Sequence, residues 1–131
     1  ELIHALVLEF HVTHGQVYRF DADGYMRTGW VFERGAWYYH ALSGAQATGW
    51  VLDGVSWYYL TPGSGQMATG WVEDGSHWYY LIPTNGKMKT GWHYEDGSWY
   101  YLKPGSGQMA TGRLWIVWKY YRFADNGTLI R

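Results

Sequence analysis

A glycine–aromatic step returns along this chain at a nearly fixed interval: Gly29-Trp30, Gly49-Trp50, Gly70-Trp71 and Gly91-Trp92, with a worn copy at Gly112-Arg113. The intervals are 20, 21, 21 and 21 residues. Seven residues past each tryptophan lies an aromatic cluster, Trp37-Tyr38-Tyr39, Trp57-Tyr58-Tyr59, Trp78-Tyr79-Tyr80 and Trp99-Tyr100-Tyr101, and the worn copy keeps Tyr120-Tyr121. A period this short excludes one ordinary core and requires a stack of small, similar units. Any binding site is then expected to recur with the units.

Composition sharpens this. Aromatic residues make up 21% of the 131-residue chain and outnumber charged residues at 16%. One core cannot bury so many rings, so many are expected to lie partly exposed. The formal net charge of −1 gives no electrostatic footprint for nucleic acid or an anionic membrane. There is no cysteine, hence no disulfide framework and no thiolate chemistry. No stretch approaches the ~18 apolar residues of a membrane span, so membrane insertion is not expected. The chain opens on Glu1-Leu2-Ile3, with neither an initiator methionine nor a secretory signal, which reads as a processed product, a fragment or an engineered chain.

Within residues 49–69, Asp53-Gly54 stands between two aromatic, β-branched runs, a hairpin signal. The same reading places turns at Arg34-Gly35, Asp74-Gly75 and Asp96-Gly97, and makes Asp53, Asp74 and Asp96 turn formers. Thr61-Pro62-Gly63-Ser64-Gly65 then breaks the second strand. The expected fold is all-β, a solenoid of hairpin-and-loop units with almost no helix, forming a single domain over 1–131. Its units are a degenerate 1–28, full units 29–48, 49–69, 70–90 and 91–111, and a degenerate 112–131. Across an antiparallel hairpin the spacing of seven puts Trp50, Trp57 and Tyr59 on one face, with Tyr58 and Val51 on the other. Tyr38, Tyr58, Tyr79 and Tyr100 are therefore the expected core between units.

Gly-Trp, then Trp-Tyr-Tyr, then Gly-x-Met-x-Thr-Gly-Trp resembles the choline-binding, cell-wall-binding repeat of Gram-positive surface proteins and phage lysins. The resemblance covers residues 15–112 well and the ends poorly. It implies a left-handed superhelix of hairpins, and a non-catalytic module that anchors a parent protein to choline-bearing teichoic acid on the bacterial surface. It also implies a choline site between consecutive hairpins, built from two Trp of one unit and a Tyr of the next, with a Met nearby. Carried over residue by residue, the sites are Trp30, Trp37 and Tyr59; Trp50, Trp57 and Tyr80; and Trp71, Trp78 and Tyr101. Met67, Met88 and Met109 would lie close by, while Gln46 sits where a Met is expected. A fourth site, Trp92 and Trp99, is left in question by Arg122, which stands where its Tyr is expected. Ahead of the first full unit, Phe10 and Val17 replace both indoles.

Chemistry favours the same ligand. A quaternary ammonium has no N–H to donate, but a cage of ring faces binds it by cation–π attraction and methyl burial. No cofactor or metal is expected: His11 and His14 lack a third ligand at a recognisable spacing, and a catalytic pair would not recur with each repeat. Two other classes remain open. Related aromatic repeats bind glucans by stacking, although few Asn, Gln or Arg line the walls here. A structural or engineered scaffold rests on the ends, where Leu2–Leu8 is apolar on both faces of a predicted strand and Leu114–Trp118 is apolar with no turn signal where the unit's glycine should be. Those runs lead us to expect a homo-oligomer.

Overall fold

A computed structural model describes residues 9–130, with side chains from His11 onward; the expectation for Leu2–Leu8 lies outside the described residues. The described chain is all-β and holds no helix. Six hairpins follow one another. They are β1 (Glu9–Thr13) with β2 (Gln16–Phe20), β3 (Gly29–Glu33) with β4 (Ala36–His40), and β5 (Gly49–Asp53) with β6 (Ser56–Leu60). Then come β7 (Gly70–Asp74) with β8 (His77–Leu81), β9 (Gly91–Glu95) with β10 (Ser98–Leu102), and β11 (Gly112–Ile116) with β12 (Lys119–Phe123). Each pairs only within itself, as a two-stranded antiparallel sheet. The hairpins fall into two compact units, one ending at Ala68 and the other starting at Thr69.

Two of the predicted turns stand where the sequence puts them. Arg34-Gly35 and Asp96-Gly97 both take positive φ at both residues, as a two-residue turn between twisted strands requires. The other two move by one residue, because β5 runs to Asp53 and β7 to Asp74. The turns are Gly54-Val55 and Gly75-Ser76, with each glycine at φ 66°. Glycine in the first central position suits the turn with a single positive φ there, so the aspartates stay in their strands.

Two backbone hydrogen bonds recur after the hairpins. The chain folds back on its own second strand, as where Ala68 N–H donates to Tyr59 O at 2.8 Å. The neighbouring amide reaches the preceding hairpin: Met67 N–H donates to Trp37 O, Met109 N–H to Trp78 O and Leu129 N–H to Trp99 O, each at 2.8 Å. A hairpin is marginal alone, and these bonds tie one to the next within each unit. The residue that closes the second strand is sealed off: Leu60, Leu81 and Leu102 are fully buried. Met88 and Met109 pack against Gly107 and Gly127 in the following loop, where a Cβ would overlap the thioether.

The run Leu114–Trp118, apolar and without a turn glycine, is the end of a hairpin arm and its turn. Leu114 and Ile116 pack with Ala110, Phe123, Trp92 and Tyr121, while Trp115 points away from that cluster and stays exposed. Val117 and Trp118 form the turn, at φ 40° and 69°. The sequence offers no glycine there, so the register of the flanking arms imposes the turn on two residues that resist it.

Candidate functional site: a recurring three-ring cluster

Register decides which rings share a face. Trp30 pairs with Tyr39 and Phe32 with Trp37, so all four lie on one side of the β3–β4 hairpin, as the sevenfold spacing predicts. The Trp30 and Trp37 ring centres are 6.4 Å apart and nearly perpendicular, at 84°. Tyr39 braces Trp30 from across the strand at 5.0 Å. From the next hairpin Tyr58 arrives, its ring 4.9 Å from Trp30 at 69°. Trp30, Trp37 and Tyr58 thus converge, and Trp37 keeps 43% of its surface exposed, as a wall open to a ligand would. Tyr59, the other ring named from sequence, packs on Trp50 of its own hairpin at 4.9 Å and is buried. The alternation of the strand explains the difference: Tyr59 shares the face of Trp50 and Trp57, and Tyr58 occupies the opposite face with Val51. That second face packs against the preceding hairpin, so Tyr58 is at once packing between hairpins and a wall of the cluster.

The C-terminal unit repeats the arrangement. Trp92 and Trp99 lie 6.1 Å apart at 89°. Tyr121 meets Trp92 at 5.0 Å and 69°, which nearly reproduces the first cluster. Arg122 pairs with Arg113 on the other face of that hairpin, away from the Tyr121 side. Trp71 meets Tyr100 at 5.0 Å and its own cross-strand partner Tyr80 at 5.1 Å. Trp78 is 40% exposed, and Tyr101 lies on Trp92 at 5.0 Å. Trp50 and Trp57 belong to the N-terminal unit and Tyr80 to the C-terminal one.

Sequence reasoning missed a set of acids. The Trp30 indole N–H donates to Asp53 Oδ2 at 2.9 Å, and that of Trp71 to Glu95 Oε1 at 3.1 Å. Both acids close the first strand of the following hairpin, so the carboxylate orients an indole as well as ending a strand. The signal was present as acids at the fifth strand position, Glu33, Asp53, Asp74 and Glu95. Ile116 takes that position after Trp92. Around Trp71 the polar set is larger: His93 stacks on Tyr80 at 4.0 Å and bonds Glu95 and Lys89, each at 2.9 Å. Burial, helped by the Glu95 charge, raises the Tyr80 phenol above its ordinary pKa.

The degenerate N-terminal unit answers its missing indoles with a built-in cation. Arg19 stands in the slot that Tyr39 fills one unit later, is almost wholly buried, and lays its guanidinium 3.9 Å from the Tyr38 ring centre. It pairs with Glu33 and donates to the Gln46 side-chain carbonyl and to His40 Nε2. Gln46 therefore replaces the expected Met because a buried guanidinium needs acceptors. Since Arg19 can only donate and the Gly44 carbonyl can only accept, His40 is the neutral tautomer with its proton on Nδ1, 2.7 Å from Gly44 O. Burial, with the charges of Arg19 and Arg27, lowers the His40 pKa.

The hairpin repeat matches known proteins in sequence and in structure. The choline-binding repeat model matches residues 34–70 and 68–114. The chain is 40% identical to CbpJ from Streptococcus pneumoniae TIGR4, with a TM-score of 0.89, covering 94% of this chain and 42% of that one. It is 39% identical to choline binding protein F from Streptococcus pneumoniae, with a TM-score of 0.86 and the same coverage, 94% and 42%. It is 32% identical to the pneumococcal cell wall endolysin from phage Cp-1 complexed with choline, at a TM-score of 0.68 over 93% of this chain and 36% of that one. The chain thus spans about two fifths of the length of these proteins. No curated protein matches it by sequence. With a period of 20 to 21 residues, all-β hairpins and these matches, the chain belongs to the choline-binding repeat family.

Proposed function

We propose that this module binds the trimethylammonium group of choline in aromatic cages. Two of them are Trp30, Trp37 and Tyr58, backed by Tyr59 behind the wall, and Trp92, Trp99 and Tyr121. The observation that carries the reading is the near-identity of these two clusters, in distance and in ring angle, at hairpins far apart in sequence. Packing alone does not call for two indoles per hairpin with the second left more than a third exposed. Trp71 and Trp78, with Tyr100 and with Tyr101 behind, form a third cage. Each ring face contributes about 0.5–2 kcal/mol toward a cation, so three give a roughly millimolar site. Several such sites along one chain convert weak binding into avidity for a polymer that carries many cholines. This suits a module that holds a parent protein to teichoic acid outside the cell, in the bacterial wall.

The test is a titration followed by the indole N–H signals, with choline against 3,3-dimethylbutan-1-ol, its uncharged isostere. Choline should saturate the cage signals and the alcohol should not. Equal competition by the alcohol would remove the cation–π basis, and retention on dextran without retention on a quaternary-amine resin would move the module to the sugar-binding class. The exposed Trp115, Val117, Trp118 and Tyr120 also support self-association through the last hairpin. Light scattering at micromolar concentration would refute this if the chain were a strict monomer.

A further inference from the structure

The last hairpin breaks the chemical pattern of the four before it on the face that there carries the indoles. Arg113 takes the place of the first Trp and Arg122 that of its cross-strand Tyr, so two guanidiniums stand directly opposite each other. Like charges in that position repel. Neither makes an ion pair with a described residue. Between Gly112 and Phe123 the chain carries Arg113, Lys119 and Arg122 and no carboxylate, whereas Glu33, Asp53, Asp74 and Glu95 each put an acid into an earlier hairpin. Arg113 lies 5.1 Å from the ring centre of Tyr120, on the same face. A pocket of about 350 Å³ opens between Arg113, Tyr120, Tyr121 and Arg122. That volume exceeds what a bare ion needs.

We infer that this pocket is a phosphate site, with Arg113 and Arg122 gripping the anion and Tyr120, on their face of the hairpin, walling any organic part it carries. Planar guanidinium forks match the oxygens of a phosphate and bind it bidentately. An anion between them turns a repulsive cross-strand pair into two attractive contacts. The same face repels a quaternary ammonium, so the site complements the cages. It stands independently of the choline reading. The phosphate has two sources, the free anion and a phosphocholine group.

The experiment follows the Nε–H signals of Arg113 and Arg122 in the full chain by ¹⁵N-resolved NMR. Inorganic phosphate and phosphocholine are titrated separately, with sodium chloride and choline chloride as controls at matched ionic strength. Phosphate-bearing probes should shift both arginines saturably, with half-saturation on the order of millimolar. Arg113→Gln or Arg122→Gln should weaken that at least about fivefold, as expected when one of two charge-assisted partners is lost. Both are exposed, so folding should survive, and Arg34→Gln should change nothing. Tighter binding of phosphocholine supports the ester as source, and equal binding supports the free anion. Shifts that never saturate and are matched by chloride, or saturable shifts that persist in the double variant, would overturn the site. Choline chloride acting on the Trp30 and Trp99 indoles reads the cages separately, so either reading can fail alone.

Discussion

Replacing Tyr58 by leucine separates a wall of the first cage from the packing behind it. Leucine keeps much of the apolar volume and removes the ring face that stands 4.9 Å from Trp30. The loss is one cation–π contact of three, about 0.5–2 kcal/mol, or roughly 2- to 30-fold in affinity at that site. Tyr59→Leu should do the opposite. Tyr59 is buried on Trp50, so its loss removes an aromatic pair and leaves a void, at about 1–3 kcal/mol of stability. The melting temperature should then fall by several degrees, with the first cage nearly intact. The assay is the choline titration read on the Trp30 indole N–H, with thermal denaturation alongside. If Tyr58→Leu left Trp30 binding unchanged, while Tyr59→Leu abolished it at unaltered stability, the argument from strand alternation would be refuted. The Trp92 signal serves as internal control, because units in a repeat array are largely independent.

Asp53→Asn should weaken choline at Trp30 by a few-fold through loss of an exposed charge, about 0.5–1 kcal/mol; titration at Trp92, which faces Ile116 in place of an acid, should be unmoved. His40 ordinarily titrates near 6.5 and is depressed in the fold, so the unfolded chain binds its proton first. The stability this contributes is complete above 6.5 and is lost as pH falls through the lower folded value. Thermal melts between about pH 7 and pH 5 should show that loss, and His40→Leu, the residue at the matching place in the next three hairpins, should flatten it. Val117→Asn with Trp118→Gly should relieve positive φ at both turn residues and raise stability by roughly 1–2 kcal/mol, read as a higher melting temperature; an unchanged melt would show that the turn is not strained.

The sequence by itself determined the hairpins, because a glycine–tryptophan step every 20 to 21 residues leaves a unit too short to close any other core. It determined which rings share a face, since alternation across a paired hairpin is fixed by the backbone and needs no tertiary contact. The pairing Trp30↔Tyr39 and Phe32↔Trp37 follows from that alone. Tertiary structure decides what happens where one hairpin meets another. Of the adjacent Tyr58 and Tyr59, the face that the preceding hairpin covers brings Tyr58 to Trp30 and leaves Tyr59 on Trp50. The turn positions of Asp53 and Asp74 were misread for a related reason: an Asp-Gly pair fits two registers, and the flanking ladder chooses one. Asp53 and Glu95, acids at the fifth strand position, gained their role because an indole N–H from the preceding hairpin arrives beside them.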